Sequence, residues 1–260
     1  MKQSDATRSI AYGDHILTIH GSAGDSYFEN VSLDDHANDM LSGALRGLPL
    51  EAVVLDIGAN IGLTSVMAAH HGALVYAFEP SPNTFALLQK TVAANETPGE
   101  VRPVNLALGA APGELSFFED PSSNSASHVV SGDTLGRQGM VIVPATTVDL
   151  FVEQEALDRL DFIKIDIEGF ETDALKGAEE TIRKFQPSAL IEYNAFTMVG
   201  FRNMNPRNLL TQIRSLFPYV YRWRNGLLLI ESDMDALSFI HDNLVSAGSV
   251  EDLYGRFSPL

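Results

Sequence analysis

The sequence predicts an α/β fold: a doubly wound, mostly parallel sheet with a C-terminal antiparallel hairpin strand. Three observations carry this. Apolar strand-like runs alternate with helical segments in five strand–helix repeats between residues 52 and 217, which is the pattern of parallel strands joined by crossover helices. The first of these runs, AVVLDI at 52–57, is apolar on both faces, as a central strand covered on both sides must be, and it runs into a Gly-rich turn. Near the C-terminus two apolar runs flank Arg224-Asn225-Gly226, and Asn-Gly between strands is the strongest short-range hairpin signal.

Taken in order, residues 15–20 (HILTIH) read as a short alternating strand and 34–45 as a weakly amphipathic helix that Asp34 and Asp35 are placed to cap. These fall in an N-terminal extension, 1–50, read as a cover for the site of the main domain, 51–260. After the 52–57 strand come a helix over 63–71 and a strand over 74–78. Ser81-Pro82 starts a helix that runs to about residue 95, with Pro at the first helical position. A third strand covers 101–106. The stretch 107–160 is read as a loop insertion containing strands at 115–118 and 141–148, a Ser/Asn/Gly-rich loop at 120–139, and a short helix at 148–152. Regular alternation returns with a strand at 162–167, a helix at 171–185, a strand at 189–193 and a helix from Asn205-Pro206 to about 217. The hairpin strands are 219–223 and 227–231, and a last helix covers 233–247.

Composition narrows the function. The 260 residues hold 17 Lys and Arg against 34 Asp and Glu, a formal net charge of −17, which repels polyphosphate and argues against a nonspecific duplex-DNA binder. With no cysteine there is no disulfide framework, no cysteine-ligated zinc and no thiol nucleophile. The longest apolar runs, 52–57 and 227–230, are too short to span a bilayer, and the N-terminus has no apolar core of a signal peptide. The expectation is a cytoplasmic protein with no membrane and no nucleic-acid partner.

The turn Asp56-Ile57-Gly58-Ala59-Asn60-Ile61-Gly62 sits where a buried strand gives way to a helix. Glycines there permit positive φ and close backbone approach, and Asn60 is of a type that tolerates the left-handed region. The G-x-G-x-x-G fingerprint fails, because its second and third slots hold Asn60 and Leu63, so the turn need not cradle a pyrophosphate. The next strand ends in Phe78-Glu79-Pro80, which places a carboxylate at the neighbouring strand tip, where it can grip the hydroxyls of a ribose. Two acids, Asp56 and Glu79, beside a turn without phosphate-binding residues suit a cationic, ribose-bearing ligand. S-adenosylmethionine, with a sulfonium and an ammonium, matches.

The segments VLDIGANIGLTSVMAAHHG, YAFEPSPNTFALLQKTVAAN, VNLALGAAPGELSFF, DFIKIDIEGFETDALKGAEETI and ALIEYN together resemble the FkbM family of S-adenosylmethionine-dependent methyltransferases over residues 52–194. The resemblance implies a class I methyltransferase (Rossmann-like) fold and O-methylation of a hydroxyl on a small molecule, sugar, glycan or secondary metabolite. It implies that Asp56, Gly58, Ala59, Asn60 and Gly62 line the methionine moiety, that Glu79 with Pro80 holds the ribose, and that Asn105 and Ala107 border the adenine. A strand-end amide satisfying backbone groups is the other reading of Asn105.

In Phe162-Ile163-Lys164-Ile165-Asp166-Ile167-Glu168-Gly169 a period of two puts Lys164, Asp166 and Glu168 on one face and three isoleucines on the other. Lysine in a central strand demands a carboxylate partner. Asp166 is the expected general base for a hydroxyl acceptor, with Glu168 and Glu192 close behind, and Lys164 positions the carboxylates or binds the acceptor oxygen. The alternative is a structural Lys–Asp pair. Asp166 and Glu192 lie at neighbouring strand tips and are of the type that binds a divalent cation, but the sequence shows no third ligand, so no metal is expected. His128 is an alternative base, His70-His71 a surface pair, and Phe196, Met198, Phe201 and Met204 either an acceptor lid or core. Two other function classes share parts of this pattern: a nicotinamide-dependent oxidoreductase and a catalytically silent S-adenosylmethionine-binding module. A nucleobase amino-methylating enzyme is disfavoured, because no Pro-Pro-aromatic segment follows Asp166.

Overall fold

The computed structural model describes residues 4–33, 36–130 and 138–260, so the expected caps Asp34 and Asp35 and part of the Ser/Asn loop lie outside the described residues. The chain opens with a hairpin of β1 (Asp5–Tyr12) and β2 (His15–Ser22), then α1 (Ser26–Asn30) and α2 (His36–Arg46). The first alternating block is β3 (Val53–Ile57), α3 (Leu63–His70), β4 (Leu74–Phe78), α4 (Pro82–Ala93) and β5 (Glu100–Val104). Four short strands follow, β6 (Ala107–Leu108), β7 (Gly113–Phe118), β8 (His128–Val129) and β9 (Met140–Thr146), and then α5 (Val148–Gln154). The second block is β10 (Phe162–Ile165), α6 (Glu171–Lys176), α7 (Glu179–Phe185), β11 (Ser188–Asn194), α8 (Ala195–Gly200) and α9 (Pro206–Leu216). It closes with β12 (Tyr219–Trp223), β13 (Leu227–Leu229), α10 (Asp233–Val245) and β14 (Val250–Arg256).

The main sheet has eight strands in the order β13-β12-β14-β11-β10-β3-β4-β5. The five strands from β5 to β11 are parallel, as the alternation predicts. The Asn-Gly hairpin forms, with β13 antiparallel to β12 at the sheet edge. What the sequence did not announce is β14, which inserts antiparallel between β11 and β12. Its segment, VEDLYGR, carries three charged residues and no clean alternation. One of them, Glu251, is neutralised by Arg222 at 2.8 Å, a partner that is remote in sequence.

Residue alternation divides the core. Val53, Leu55 and Ile57 face one apolar cluster, filled by α5, α6, α7, α9 and α10, while Ala52 and Val54 face another that holds α2, α3 and the N-terminal hairpin. All five residues of β3 are therefore buried. Ser81 caps α4 by accepting from Thr84 N, with Pro82 opening the helix, and Asn205 and Pro206 do the same for α9.

Two segments depart from expectation. The insertion is largely a second sheet, of order β6-β9-β7-β8, rather than irregular chain. The third strand stops at Val104, and Ala107–Leu108 joins that second sheet instead. The single helix read over 171–185 is two, because Gly177 lies so close to the Gly109 carbonyl that a Cβ would sit 2.1 Å from its oxygen. Asp149 then caps the second piece by accepting from Thr181 N at 2.8 Å. Among the described residues no helix is long and apolar enough to cross a membrane.

Gly255 places β14 against the ring of Phe217, and a Cβ added there would lie 2.6 Å from the ring Cγ. Gly255→Ala should lower stability by about 1–3 kcal/mol through overpacking. A urea midpoint equal to that of the wild type would show that β14 does not pack as described.

Candidate active site

A cavity of about 540 Å³ opens where β3, β4, β10 and β11 end, at the carboxyl edge where open α/β sheets bind ligands. Its floor is the turn after β3. Gly58 and Ala59 donate their amides to Phe78 O at 3.1 and 2.9 Å, and Asn60 takes φ 50°. Gly58 has φ 85°, and a Cβ on it would fall 1.9 Å from Asp166 O, so only glycine lets the two strand ends meet. Asn60 N then donates to Glu79 Oε2 at 3.1 Å, while Ser81 N holds Oε1 at 2.9 Å. Burial pushes the Glu79 carboxyl up to about 7, against the downward pull of those two backbone amides.

Beside the turn, Lys164 is buried in β10, directly opposite Asp56 of β3. Its Nζ donates to Gly58 O at 3.1 Å and lies 3.6 Å from Asp56 Oδ1 and 3.2 Å from Asp166 Oδ2. Asp56 is fully buried, and its other oxygen accepts from Ser65 Oγ at 2.6 Å. Burial alone would lower the pKa of Lys164; the charges of Asp166 and Asp56 more than reverse that and hold it raised, so the ammonium stays protonated.

Asp166, Glu168 and Glu192 each bring a carboxylate oxygen within 4.8 Å of the others. Glu168 reaches this position through a left-handed residue, φ 54°, with its Oε2 accepting from Asn194 Nδ2 at 3.3 Å. It supplies the third carboxylate that the sequence did not reveal, which corrects the reading that only Asp166 and Glu192 were available. Burial, and after it the charge of Asp166, push Glu168 up to about 8 and Glu192 well above its ordinary range. Glu171 holds the turn together, accepting from Ile167 N and Gly169 N at 3.1 Å.

The other expected residues sort by position. Gly58, Ala59, Asn60, Glu79, Pro80, Ala107, Lys164, Asp166, Glu168 and Glu192 all line the cavity. Asp56 and Gly62 stand behind its wall: Asp56 anchors Lys164, and Gly62 leaves room for Leu88, which a Cβ would approach to 2.5 Å. Asn105 spends its amide on Glu79 O and Pro80 O, at 2.8 and 3.0 Å, so it braces the turn that carries Glu79 and does not border the cavity. His128 is likewise outside the cavity wall, stacked on Phe201 at 3.8 Å with Nδ1 on Ala126 O. His71 meets the Tyr12 hydroxyl at 2.6 Å, so it packs on the N-terminal hairpin instead of pointing freely into solvent. In α8 the proposed lid divides: Met198 is fully buried core, whereas Phe196 is 64% exposed.

Two contributors escaped the sequence reading. Asp252 of β14 lies opposite Glu192 and lines the cavity, and burial pushes it up to about 7, helped by the charge of Asp166. Tyr27 of α1 also lines the cavity. Its helix is fixed by Asp25, which accepts from Phe28 N at 2.8 Å and from Asn124 N at 2.7 Å. An acidic cap ahead of an aromatic was the available signal for Tyr27, whereas β14 carried no local signal.

Comparison with known proteins bears on the family and the fold. The profile described as the Methyltransferase FkbM domain matches residues 56–223. The chain is 32% identical over 145 residues to the hexuronic acid methyltransferase AglP of Haloferax volcanii, covering 56% of this chain and 57% of that protein. It is 26% identical over 155 residues to the 31-O-demethyl-FK506 methyltransferase FkbM of Streptomyces tacrolimicus, covering 49% of this chain and 60% of that one. The chain thus spans less than two thirds of the length of either relative. Among solved structures, SMU.776 complexed with SAH superposes with a TM-score of 0.50 at 13% identity, over 96% of this chain and 56% of that one, a likeness of fold. With more than half of its length matched by the profile, this chain belongs to the FkbM methyltransferase family.

Proposed function

We propose that the protein is an S-adenosylmethionine-dependent O-methyltransferase acting on a hydroxyl of a small molecule, a sugar or glycan, or a secondary metabolite. The observation that carries this is the bond from Asn60 N to Glu79 Oε2, which joins a glycine turn and a ribose-type carboxylate on one cavity wall, facing the carboxylates of β10 and β11. The residues fit the cofactor: Asn60 Oδ1 is buried at the wall without a donor, and the cleft is acidic where a cationic ligand is needed. Gly58, Ala59 and Asn60 would hold the methionyl part, Glu79 and Pro80 the ribose, and Leu106 and Ala107 the adenine. Bound there, the cofactor supplies an electrophilic methyl group on a sulfonium.

The chain's own part is alignment and proton acceptance. Asp166, its side chain 40% exposed, is the base we assign to the acceptor hydroxyl, and it can pass the proton on to solvent. Lys164 fixes Asp166 at 3.2 Å and at the same time grips Gly58 O, so base and cofactor turn share one anchor. The two named relatives are a hexuronic acid methyltransferase and a 31-O-demethyl-FK506 methyltransferase, which supports an oxygen acceptor.

Thermal-shift titration with S-adenosylhomocysteine should raise the melting temperature, since a ligand at a hundred times its Kd stabilises by about 2.7 kcal/mol. A shift with NAD(H) alone would end the methyltransferase reading. Asp166→Ala should keep cofactor binding and lose turnover by about 10²–10⁴-fold, the usual worth of a general base. Wild-type rates in that variant would remove the base role.

The Glu79 carboxyl gives a pH test. Its pKa is raised to about 7 from an ordinary 4.5, so the unliganded protein holds this proton more tightly folded than unfolded. Its contribution is fully present below 4.5 and fades as pH rises through 7. Glu79→Gln removes that loss. The variant's melting temperature relative to wild type should therefore be higher at pH 8 than at pH 5, by about 2–4 °C for each kcal/mol involved. A difference independent of pH would contradict the burial assigned to Glu79.

A further inference from the structure

We propose that Asp166, Glu168 and Glu192 form a binding site for a divalent cation of the hard, oxygen-seeking class, Mg²⁺ or Mn²⁺, that seats oxygen atoms of the acceptor. The three carboxylates converge within 4.8 Å from two adjacent strand ends, β10 with its turn and β11, which is a spacing that lets one ion touch all three. An all-carboxylate donor set suits Mg²⁺ and Mn²⁺, which leave coordination positions for water or substrate oxygens.

Two further observations point to a ligand. Glu192 Oε2 is shut away from solvent, in a half-buried residue, and meets no hydrogen-bond donor among the described residues. An oxygen in that state needs a partner, and the described residues supply none. The nearby cation, Lys164, is already engaged by Gly58 O, Asp56 and Asp166 at 3.1–3.6 Å. One ammonium therefore stands against Asp56, Asp166, Glu168, Glu192 and, across the strand pair, Asp252. An added dication would sit among these carboxyl groups and give Glu192 its partner. It would also offer a seat to vicinal hydroxyls, or to a hydroxyl beside a carboxylate that the bare cleft would repel. The seating role rests on the methyl-transfer reading of the cleft, where Asp166, as a ligand, would act on the acceptor hydroxyl through the ion rather than as a free base; the binding of the ion does not rest on that reading.

The test is Mn²⁺ titration of the full, metal-stripped chain, followed by electron paramagnetic resonance of the free ion, with S-adenosylhomocysteine binding measured on the same samples. Wild type should bind one Mn²⁺ per chain. Glu168→Gln and Glu192→Gln should each weaken that binding about tenfold or more while keeping S-adenosylhomocysteine binding. Should circular dichroism show that either variant does not fold, Asp166→Asn carries the same comparison. No binding at millimolar Mn²⁺, or equal binding in the variants, overturns the site. Mn²⁺ binding that depends on these residues, in a chain that ignores S-adenosylhomocysteine, upholds the site and defeats the methyltransferase reading instead.

Discussion

The buried ammonium of Lys164 is the constraint around which the rest is arranged. Desolvating an amine in a central strand costs several kcal/mol, and only well-placed partners recover it. They are placed by the parallel register that sets Lys164 opposite Asp56, and by the turn that brings Gly58 O and Asp166 to the same nitrogen. A slip of β10 by one residue would send Lys164 into the layer of Ile163 and Ile165 and turn those isoleucines toward Asp56. Charge pairing and apolar patterning thus enforce the same register. Ser65, from the first turns of α3, completes Asp56 and ties the helix that follows the glycine turn into the same network.

The cleft above this network is closed by chain from two distant stretches. Asp25, only 1% exposed, accepts from Phe28 N in its own helix and from Asn124 N in the insertion, and Ser26 N donates to Ser122 O. Neither segment has a large core of its own. Each is held by the other and by the sheet, so Tyr27 on one side and Ser125 and Ser127 on the other line the cavity as a pair of walls.

How much could be read beforehand follows from where each residue finds its partners. The strand over 74–78 and the starts of α4 and α9 were legible because burial on both faces, and a Ser or Asn cap followed by Pro, are local signals. Lys164, Asp166 and Glu168 on one face needed only a period of two. β14 was hidden because its acids find their setting at long range: Glu251 pairs with Arg222 and Asp252 lies on the cavity wall. The break between α6 and α7 was hidden because nothing near Gly177 in sequence shows that Gly109 will press on it. Asn105 has the right residue type at the right strand tip, yet two backbone carbonyls claim it before a ligand can. Glu168 was legible by face but not as the third of a converging trio, since that convergence depends on its left-handed backbone, φ 54°.

Charge sets the long-range conditions at this cleft. A net charge of −17 works against the approach of anions at long range. Neutral hydroxyl compounds meet no such barrier, and cationic ligands are drawn in. Discrimination of this kind works by repelling the wrong partner rather than by adding contacts to the right one. It also explains why so much carboxylate can be tolerated at one strand edge. Glu79 and Glu168, held up at about 7 and 8 by burial, can keep their protons until a cationic ligand arrives and makes ionisation favourable. The acidic edge is therefore least stable when its carboxyl groups are ionised with no positive charge beside them.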